Sequence, residues 1–481
     1  MDPQHRSGHP IACWLFLNAL AVVYAIAFAS MGLQIIGLIG AHGIIPAAEY
    51  MRAVREQLGA AAYWEMPSLF WLNASDAMLR AVPVSGVLFS IALFFRPARR
   101  PALILLYVLY LSLSSAGQTF LSFQWDALLL EAGFLAIFLN ASRERVWLLW
   151  WLLFRLMFLS GSVKLLSGDV SWRSLTALRY HYETQPLPTP IAWYMHLLPN
   201  WFQTASVVFM FVIELGAPLL IFMGRRLRPA AAAGIALLQI LILLTGNYTY
   251  FNWLAIALCI PLLEDSYWVR VVSARLAARA RLAFPVVAPG RWERGISVAL
   301  LGLVGAISGG QLLGTFTHLR PAPLAALERL VAPFQIVNTY GLFAVMTTTR
   351  PEIIVEGSND GAHWLDYEFR YKPGDVKRAP PWVAPYQPRL DWQMWFAALG
   401  TYQENPWFVH LLERLLQGEP SVLRLLERNP FPRAPPRFIR ASVYQYHFTT
   451  WSERRSTGAW WKREYAGEYF PQVSLRKAPD P

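Results

Sequence analysis

Two groups of ionisable side chains lie in or beside long apolar segments, where a charge is costly unless it has a partner or a function. In the first group, Glu131 and Arg155 lie 11 and 13 residues from a turn near Ser142. At about 1.5 Å per residue, both are expected about 17 to 20 Å from that turn. Glu214 precedes the turn at Gly224 by ten residues, which predicts a similar depth. The pattern favours a structural ion pair that joins three helices, and the alternative is a proton or substrate relay.

A second group of polar residues is expected at the outer ends of these segments and in the connection that follows one of them. The candidates for catalysis are Lys164, Asp126 and His181, and those for binding are Asp169, Trp172, Asn247 and Asn252. A partly desolvated lysine can act as a base or hold an anion, so the group suggests an outward-facing polar pocket. The alternative is that Lys164 only extends to the membrane surface and pairs with Asp169.

The sequence shows no signature of a soluble enzyme. It has no nucleophile elbow and no phosphate-binding glycine loop, and its 9 histidines show no metal-ligand spacing. His181 and His196 are too far apart to count as ligands. Both cysteines, Cys13 and Cys259, lie in apolar segments, which leaves no disulfide framework or zinc cluster. We expect no metal and no cofactor, and we favour a non-enzymatic protein while leaving enzymatic activity open.

The apolar segments that position these residues place the protein in a membrane. Of the 481 residues, 55% are hydrophobic and only 15% are charged, which is more apolar surface than a soluble chain of this length can bury. A spanning helix needs about twenty apolar residues. Nine segments approach or exceed this length, namely 11–40, 76–95, 101–117, 121–139, 146–167, 202–223, 229–245, 251–263 and 296–316. We predict a polytopic α-helical membrane protein with about nine transmembrane helices.

Arginines in the connections predict the orientation. They lie in four connections, each separated from the next by two predicted spans: Arg96, Arg99 and Arg100; Arg143 and Arg145; Arg225, Arg226 and Arg228; and Arg270, Arg275, Arg279, Arg281, Arg291 and Arg294. The alternating connections at 118–125 and 246–250 contain no Lys or Arg. By the positive-inside rule the arginine side is cytoplasmic. Nine spans then place the N-terminus in the cytoplasm and the C-terminal domain in the lumen or periplasm.

The net charge of +12 is accounted for largely by short arginine-bearing loops. The chain has no dense basic run with interleaved aromatics, so nucleic acid is not an expected partner. Membrane lipids are an expected partner.

Two further segments are expected outside the bilayer. Residues 51–58 have an amphipathic pattern that suits the membrane surface, and residues 168–201 are rich in aromatics and prolines, as a lid or re-entrant element would be.

The composition changes after the last predicted span. We divide the chain into a transmembrane domain (1–316), a linker (317–350) and a C-terminal extramembrane domain of α+β or β-rich type (351–481). Within the last domain, Ser358-Asn359-Asp360-Gly361 separates two strand-like segments and predicts a β-hairpin. Residues 392–399 and 406–426 have the pattern of amphipathic helices.

Several stretches resemble the lipase maturation factors. They are FQWDALLLEAGFLAIF from Phe123, FRLMFLSGSVKLLSGDVSWRSLTALRYHYETQPLPTPIAWY from Phe154, LTGNYTYFNWLAIAL from Leu244, VEGSNDGAHWLDYEFRYKPGD from Val355, RLDWQMWFAAL from Arg389 and REYAGEYFPQVSL from Arg463. The resemblance implies a polytopic membrane protein that assists the folding and assembly of secreted lipases. It also implies the endoplasmic reticulum membrane, or the inner membrane if the chain is bacterial. It carries over no catalytic residue.

A fainter similarity concerns SGSVKLLSGDVSW, which contains Lys164, and GNYTYFN. These stretches look like the transmembrane part of vitamin K-dependent gamma-carboxylases, in which a lysine in such a segment acts as a base. A membrane enzyme that uses Lys164 as base is therefore the first alternative to an assembly factor. A lipid or solute carrier is the second, and it predicts a cavity that reaches Glu131, Arg155 and Glu214.

Overall fold

The computed structural model describes residues 9–285 and 290–475 and shows a helical bundle followed by a region that contains β-sheet. The helices longer than seven residues in these ranges are Pro10–Gly32, Ala47–Leu58, Asp76–Ala92, Arg99–Ala116, Gln124–Ile137, Arg143–Leu166, Asn200–Leu220, Arg228–Thr245, Phe251–Leu262, Ala274–Ala283, Arg291–Thr317, Ala322–Val331, Arg389–Ala398 and Pro406–Leu416.

Within the described ranges, five helices are long and apolar enough to cross a membrane. They are Pro10–Gly32, Arg143–Leu166, Asn200–Leu220, Arg228–Thr245 and Arg291–Thr317. The other four predicted spans are helical but shorter or less apolar: Asp76–Ala92, Arg99–Ala116, Gln124–Ile137 and Phe251–Leu262. The protein is an integral membrane protein of the helical class, and the count of nine spans stays a prediction.

Small residues let the helices around Pro10–Gly32 approach closely. A Cβ atom built at Gly133 would lie 1.8 Å from the Tyr24 hydroxyl, and one at Gly86 would lie 2.3 Å from the Phe28 ring. No side chain fits at either position without movement of the neighbouring ring. These two contacts fix how Gln124–Ile137 and Asp76–Ala92 pack on the first helix.

The segment 317–350, predicted as a linker, is folded within the described structure. It contains the helix Ala322–Val331. After that helix, the Tyr107 hydroxyl donates to the carbonyl oxygen of Phe334 (2.5 Å), and the Gly341 backbone N–H donates to Gln124 (3.2 Å). Residues on both sides of position 335 therefore pack against the helical bundle.

The segment 168–201 is largely helical and packs against the C-terminal domain. Its helices are Val170–Arg173, Leu178–Thr184 and Pro190–His196. The indole N–H of Trp193 donates to the carbonyl oxygen of Thr449 (2.8 Å), and that of Trp395 donates to Thr184 (2.9 Å). The segment is thus held between the bundle and the C-terminal domain.

The C-terminal domain is built on antiparallel strands. They are β1 (Pro351–Ser358), β2 (Leu365–Asp366), β3 (Glu368–Phe369), β4 (Leu426–Arg428), β5 (Phe438–Phe448) and β6 (Trp461–Val473). One sheet has the order β2-β1-β5-β6, and β3 pairs with β4. The expected hairpin is present, with Glu356 opposite Asp366. The apolar pattern of residues 406–426 does not form one helix, because the chain turns at Gly418, whose φ of +68° ends Pro406–Leu416.

Candidate functional site

A cavity of about 800 Å³ lies where the helices Arg143–Leu166, Asn200–Leu220 and Arg228–Thr245 meet residues 168–201 and the helix Arg389–Ala398. This volume falls within the range of about 300 to 1,000 Å³ that is typical of small-molecule sites. Most of its lining is apolar or aromatic, and its polar lining includes Lys164, Glu214, His181, Tyr248 and Gln239. The cavity is the candidate functional site.

Lys164 and Glu214 form a buried ion pair in the cavity wall. The Lys164 ammonium donates to both Glu214 oxygens, at 2.9 and 2.7 Å, and to the carbonyl oxygen of Ser160 at 3.1 Å. Glu214 lies in a π-helical turn, Val212–Gly216, within the helix Asn200–Leu220. Since all three of its hydrogen bonds go to Glu214 and Ser160, the geometry favours a structural ion pair over Lys164 acting as a base.

Glu131 and Arg155 form a separate ion pair, as predicted, but Glu214 does not join it. Counting residues from a turn gives depth but not the face of the helix, and Glu214 lies on the face that meets Lys164. The second oxygen of Glu131 accepts from the Asn338 backbone N–H and the Tyr340 hydroxyl, both at 2.8 Å. The prediction of a single three-residue cluster is therefore corrected to two pairs.

The Glu131–Arg155 pair lies outside the lining of the cavity. Both side chains are fully buried, and Arg155 also donates to the carbonyl oxygen of Asn338 (2.9 Å). This arrangement fits the structural reading, in which the pair fixes residues near Asn338 against two helices. The continuous path that a carrier would need, from Glu214 to Arg155, is not present in the described cavity.

Asp126 is buried in a polar cluster of its own. The hydroxyls of Tyr110 and Tyr250 donate to its Oδ1 at 2.5 and 2.9 Å, and Arg389 donates to both carboxylate oxygens at 2.9 and 3.1 Å. Burial by itself would lower the pKa of Arg389, but the charge and hydrogen bonds of Asp126, together with the two tyrosines, more than offset it, so the pKa lies above its usual range. Asp126 thus anchors the C-terminal domain and does not line the cavity.

Asp169 caps the short helix Val170–Arg173 and does not pair with Lys164 as the alternative predicted. It accepts from the backbone N–H groups of Ser171 (2.7 Å) and Met346 (2.9 Å). Burial opposes ionisation, but these bonds and that from the Ser171 hydroxyl lower the pKa of Asp169. Trp172 does line the cavity, and the Lys164 ammonium lies 5.4 Å from its ring centroid.

His181 lines the cavity, in agreement with the polar pocket that the sequence suggested. Its Nε2 lies 3.2 Å from the Tyr248 hydroxyl. Burial, with a smaller contribution from the charge of Lys164, lowers the pKa of His181 to about 4. The imidazole is therefore neutral at physiological pH.

The two asparagines have structural partners. Asn247 accepts from the backbone N–H groups of Val383 (2.7 Å) and Ala384 (3.0 Å), and it donates to the carbonyl oxygen of Pro381 (2.9 Å). Asn252 donates to Gln239 (2.8 Å). Neither lines the cavity. The structure thus brings Lys164, Trp172 and His181 together, and it places Asp126, Asp169, Asn247 and Asn252 elsewhere.

Sequence reasoning missed the partners of the buried charges. These partners are Tyr110, Tyr250, Asn338, Tyr340 and Arg389. A signal for the first two was available, since a tyrosine hydroxyl inside an apolar segment needs a hydrogen-bond partner. In the part of the chain that the structure describes, no group of three His, Cys, Asp or Glu side chains is arranged to hold a metal.

Comparison with known proteins gives a consistent answer along the chain. Residues 11–270 match the lipase maturation factor transmembrane domain, and residues 336–471 match the lipase maturation factor C-terminal domain. Human lipase maturation factor 2 is 38% identical over 98% of this chain and 83% of its own length. Chicken lipase maturation factor 2 is also 38% identical, over 96% of this chain and 81% of its own. Bovine lipase maturation factor 1 is 36% identical, over 96% and 88%.

No solved structure matches the chain. The domain matches and the relatives support neither the carboxylase-like enzyme nor the carrier, since all of them carry the name of one family. They extend over the helical bundle and the C-terminal domain alike. The chain belongs to the lipase maturation factor family.

Proposed function

We propose that this protein assists the folding and assembly of a secreted lipase, with its C-terminal domain on the luminal or periplasmic side of the membrane. The observation that carries the proposal is the match to both lipase maturation factor domains, together with relatives of that name along almost the whole chain. The cavity and the ion pairs of the described residues do not by themselves indicate a catalytic centre. The client is inferred from the names of the relatives alone.

The orientation is supported by the distribution of arginines in the structure. Arg145 donates to the Ser297 hydroxyl (3.1 Å) and to the carbonyl oxygen of Glu293 (3.2 Å), so two of the arginine-bearing connections meet. The opposite ends of the bundle helices carry Asp126 and Asn247, which bond to the C-terminal domain. By the positive-inside rule the arginine end is cytoplasmic, and the C-terminal domain then faces the secretory side.

The same orientation requires an odd number of crossings between a cytoplasmic N-terminus and an external C-terminal domain. Nine crossings satisfy this if the four shorter helices also cross. Gln124–Ile137 has 14 residues and rises about 21 Å, less than the hydrocarbon thickness of about 30 Å. Its buried Glu131 and Asp126 are covered by protein, so the helix does not need to satisfy them from lipid. We therefore retain nine spans as part of the proposal.

The function is tested by co-expression in cells that lack their own lipase maturation factors. A secreted lipase from the source organism of this chain is expressed with and without the chain, and its activity is divided by the amount of lipase protein. We expect a higher activity per molecule with the chain present and an unchanged rate of lipase synthesis. A secreted phosphatase serves as a control for general effects on export.

An unchanged lipase activity per molecule, with the chain present in the membrane, would overturn the proposal. Deletion of residues 351–481 is not a suitable variant. It would remove Arg389 from the buried Asp126 and leave the Asn247 amide oxygen without the backbone donors of Val383 and Ala384. Loss of function after such a deletion would not distinguish a missing client surface from an unfolded bundle.

A further inference from the structure

The cavity is bordered on one side by surface that faces the membrane. Phe209, Leu241 and Leu244 line it, and they are 38%, 42% and 40% exposed. They lie on Asn200–Leu220 and Arg228–Thr245, two of the helices that are apolar enough to span the bilayer. Exposed apolar side chains on a spanning helix contact lipid, so a hydrocarbon chain can reach the cavity from the bilayer without crossing water.

The charges in the cavity cancel. Lys164 and Glu214 are the charged side chains of its described lining, and they bond to each other. A ligand with a net charge would have to break this pair or stay unpaired in an apolar site, and either would be costly. The cavity therefore suits an uncharged ligand with a large apolar body.

Hydrogen bonding fixes which nitrogen of His181 carries the proton. Gln185 donates through its amide nitrogen to the carbonyl oxygens of Tyr182 (3.3 Å) and Thr245 (2.9 Å), so its Oε1 is an acceptor. The Tyr248 hydroxyl donates its one proton to that Oε1, at 2.9 Å. His181 Nε2, at 3.2 Å from the same hydroxyl, must then be the protonated donor.

The other nitrogen of His181 is left as an acceptor. Among the described residues, the ring of His181 bonds to the Tyr248 hydroxyl through Nε2, and no side chain or backbone group bonds to its Nδ1. Since the ring lines the cavity and is neutral, the Nδ1 lone pair is available to a donor on a ligand. Of the uncharged groups found on membrane lipids, a hydroxyl is the simplest one that donates a hydrogen bond.

We propose that the cavity binds an uncharged membrane lipid that carries a hydroxyl group, with the hydroxyl donating to Nδ1 of His181 and the apolar body lying against the aromatic lining. This binding site is independent of the proposed role in lipase assembly. It is a site for a resident lipid and does not require transport. Its polar end is defined by residues of the external segment, and its apolar end by two spanning helices.

The test uses three photoactivatable probes with the same saturated chain and diazirine: a long-chain alcohol, its methyl ether and the corresponding fatty acid. Each is added to the purified full-length protein in detergent, and the labelled peptides are identified by mass spectrometry. We expect the alcohol to label cavity-lining peptides about fivefold more than the ether, as loss of one hydrogen bond predicts. The ionised acid should label these peptides least.

Two variants locate the site. Ser206→Phe places a ring in the cavity and should abolish labelling, whereas Val208→Phe, on the other side of the same helix and outside the lining, should not. His181→Phe should keep labelling but make the alcohol and the ether equal. Size-exclusion profiles and thermal unfolding confirm that each variant is folded.

The proposal is wrong if the fatty acid labels these peptides more than the alcohol, or if Ser206→Phe is labelled like the wild type. Equal labelling by alcohol and ether in the wild type would remove the role of His181. If Ser206→Phe does not fold, the comparison of the two probes in wild type and His181→Phe decides alone. None of these results depends on lipase activity, so failure here is distinct from failure of the assembly function.

Discussion

Replacing Arg389 by Met should destabilise the protein more than any change to an exposed charge. Arg389 and Asp126 are both buried and are joined by two hydrogen bonds, at 2.9 and 3.1 Å. In Arg389→Met, the carboxylate stays buried with only the hydroxyls of Tyr110 and Tyr250 as donors. Removing one partner of a buried ion pair costs about 3 to 5 kcal/mol, a large part of a typical stability of about 5 to 15 kcal/mol.

The assay is denaturant unfolding of the purified chain in detergent, followed by tryptophan fluorescence. Limited proteolysis in parallel should show earlier release of the C-terminal domain, since Arg389 begins a helix of that domain. Arg440→Met is the matched control. Arg440 is 35% exposed and bonds to the buried Glu356 at 3.0 Å, and in the variant Glu356 keeps the Ser442 hydroxyl as a donor (2.8 Å), so this change should cost less stability than Arg389→Met.

A double variant separates loss of the pair from exposure of a charge. Asp126→Leu combined with Arg389→Met removes the unpaired carboxylate and should recover most of the lost stability, because an apolar replacement of a buried pair is often close to neutral. The reasoning would be refuted if Arg389→Met unfolded within about 1 kcal/mol of the wild type, the value expected of exposed pairs. A double variant no more stable than the single one would refute it as well.

Three further predictions test other parts of the structure. The folded-state pKa of His181, about 4, lies below its ordinary value of about 6.5, so the unfolded chain gains a proton first as the pH falls. As the pH falls from 7.5 to 4.5, the free energy of unfolding should therefore decrease by about 2 to 3 kcal/mol less in His181→Gln than in the wild type. An equal decrease in the two proteins, measured by unfolding titrations, would contradict the burial of a neutral ring. Gly133→Ala should lower the midpoint of thermal unfolding, because the new Cβ would lie 1.8 Å from the Tyr24 hydroxyl. Adding Tyr24→Phe should partly restore the midpoint. A midpoint unchanged by Gly133→Ala would mean that the two helices can move apart freely. Both native cysteines are buried, so an introduced cysteine can be labelled selectively. Ala466→Cys should react with an impermeant maleimide only from the secretory side, and Ala278→Cys only from the cytosol. The reverse pattern would invert the proposed orientation.

The helical class was predictable because hydropathy is a local property. A run of apolar residues long enough to span the bilayer implies a helix whatever it packs against, and each of the five helices that are long and apolar enough to cross a membrane overlaps a predicted span. The hairpin at Ser358 to Gly361 was predictable for the same reason, since a turn is decided by a few adjacent residues. Where a pattern depended on a distant partner, the prediction was weaker.

The pairing of buried charges shows why. Depth along a helix can be counted from its end, and on that basis Glu131 and Arg155 were correctly expected to meet. The direction in which the Glu214 side chain points depends on the rotation of its helix about the helix axis and on the π-helical turn around Glu214. Apolar patterning and residue counting predict neither of these. Arg389 lies 263 positions from Asp126, and no local rule relates two residues so far apart.

The contacts between bundle and C-terminal domain also restrict how this protein can work. Asp126, Asn247 and Glu183 each bond to the C-terminal domain at a separate buried point, through Arg389, Val383 and Phe448. Each buried polar group left without a partner costs about 1 to 3 kcal/mol. Moving the domain away from the bundle would leave all three groups without these partners at once. An assembly factor built in this way offers a client a fixed surface, not a hinge.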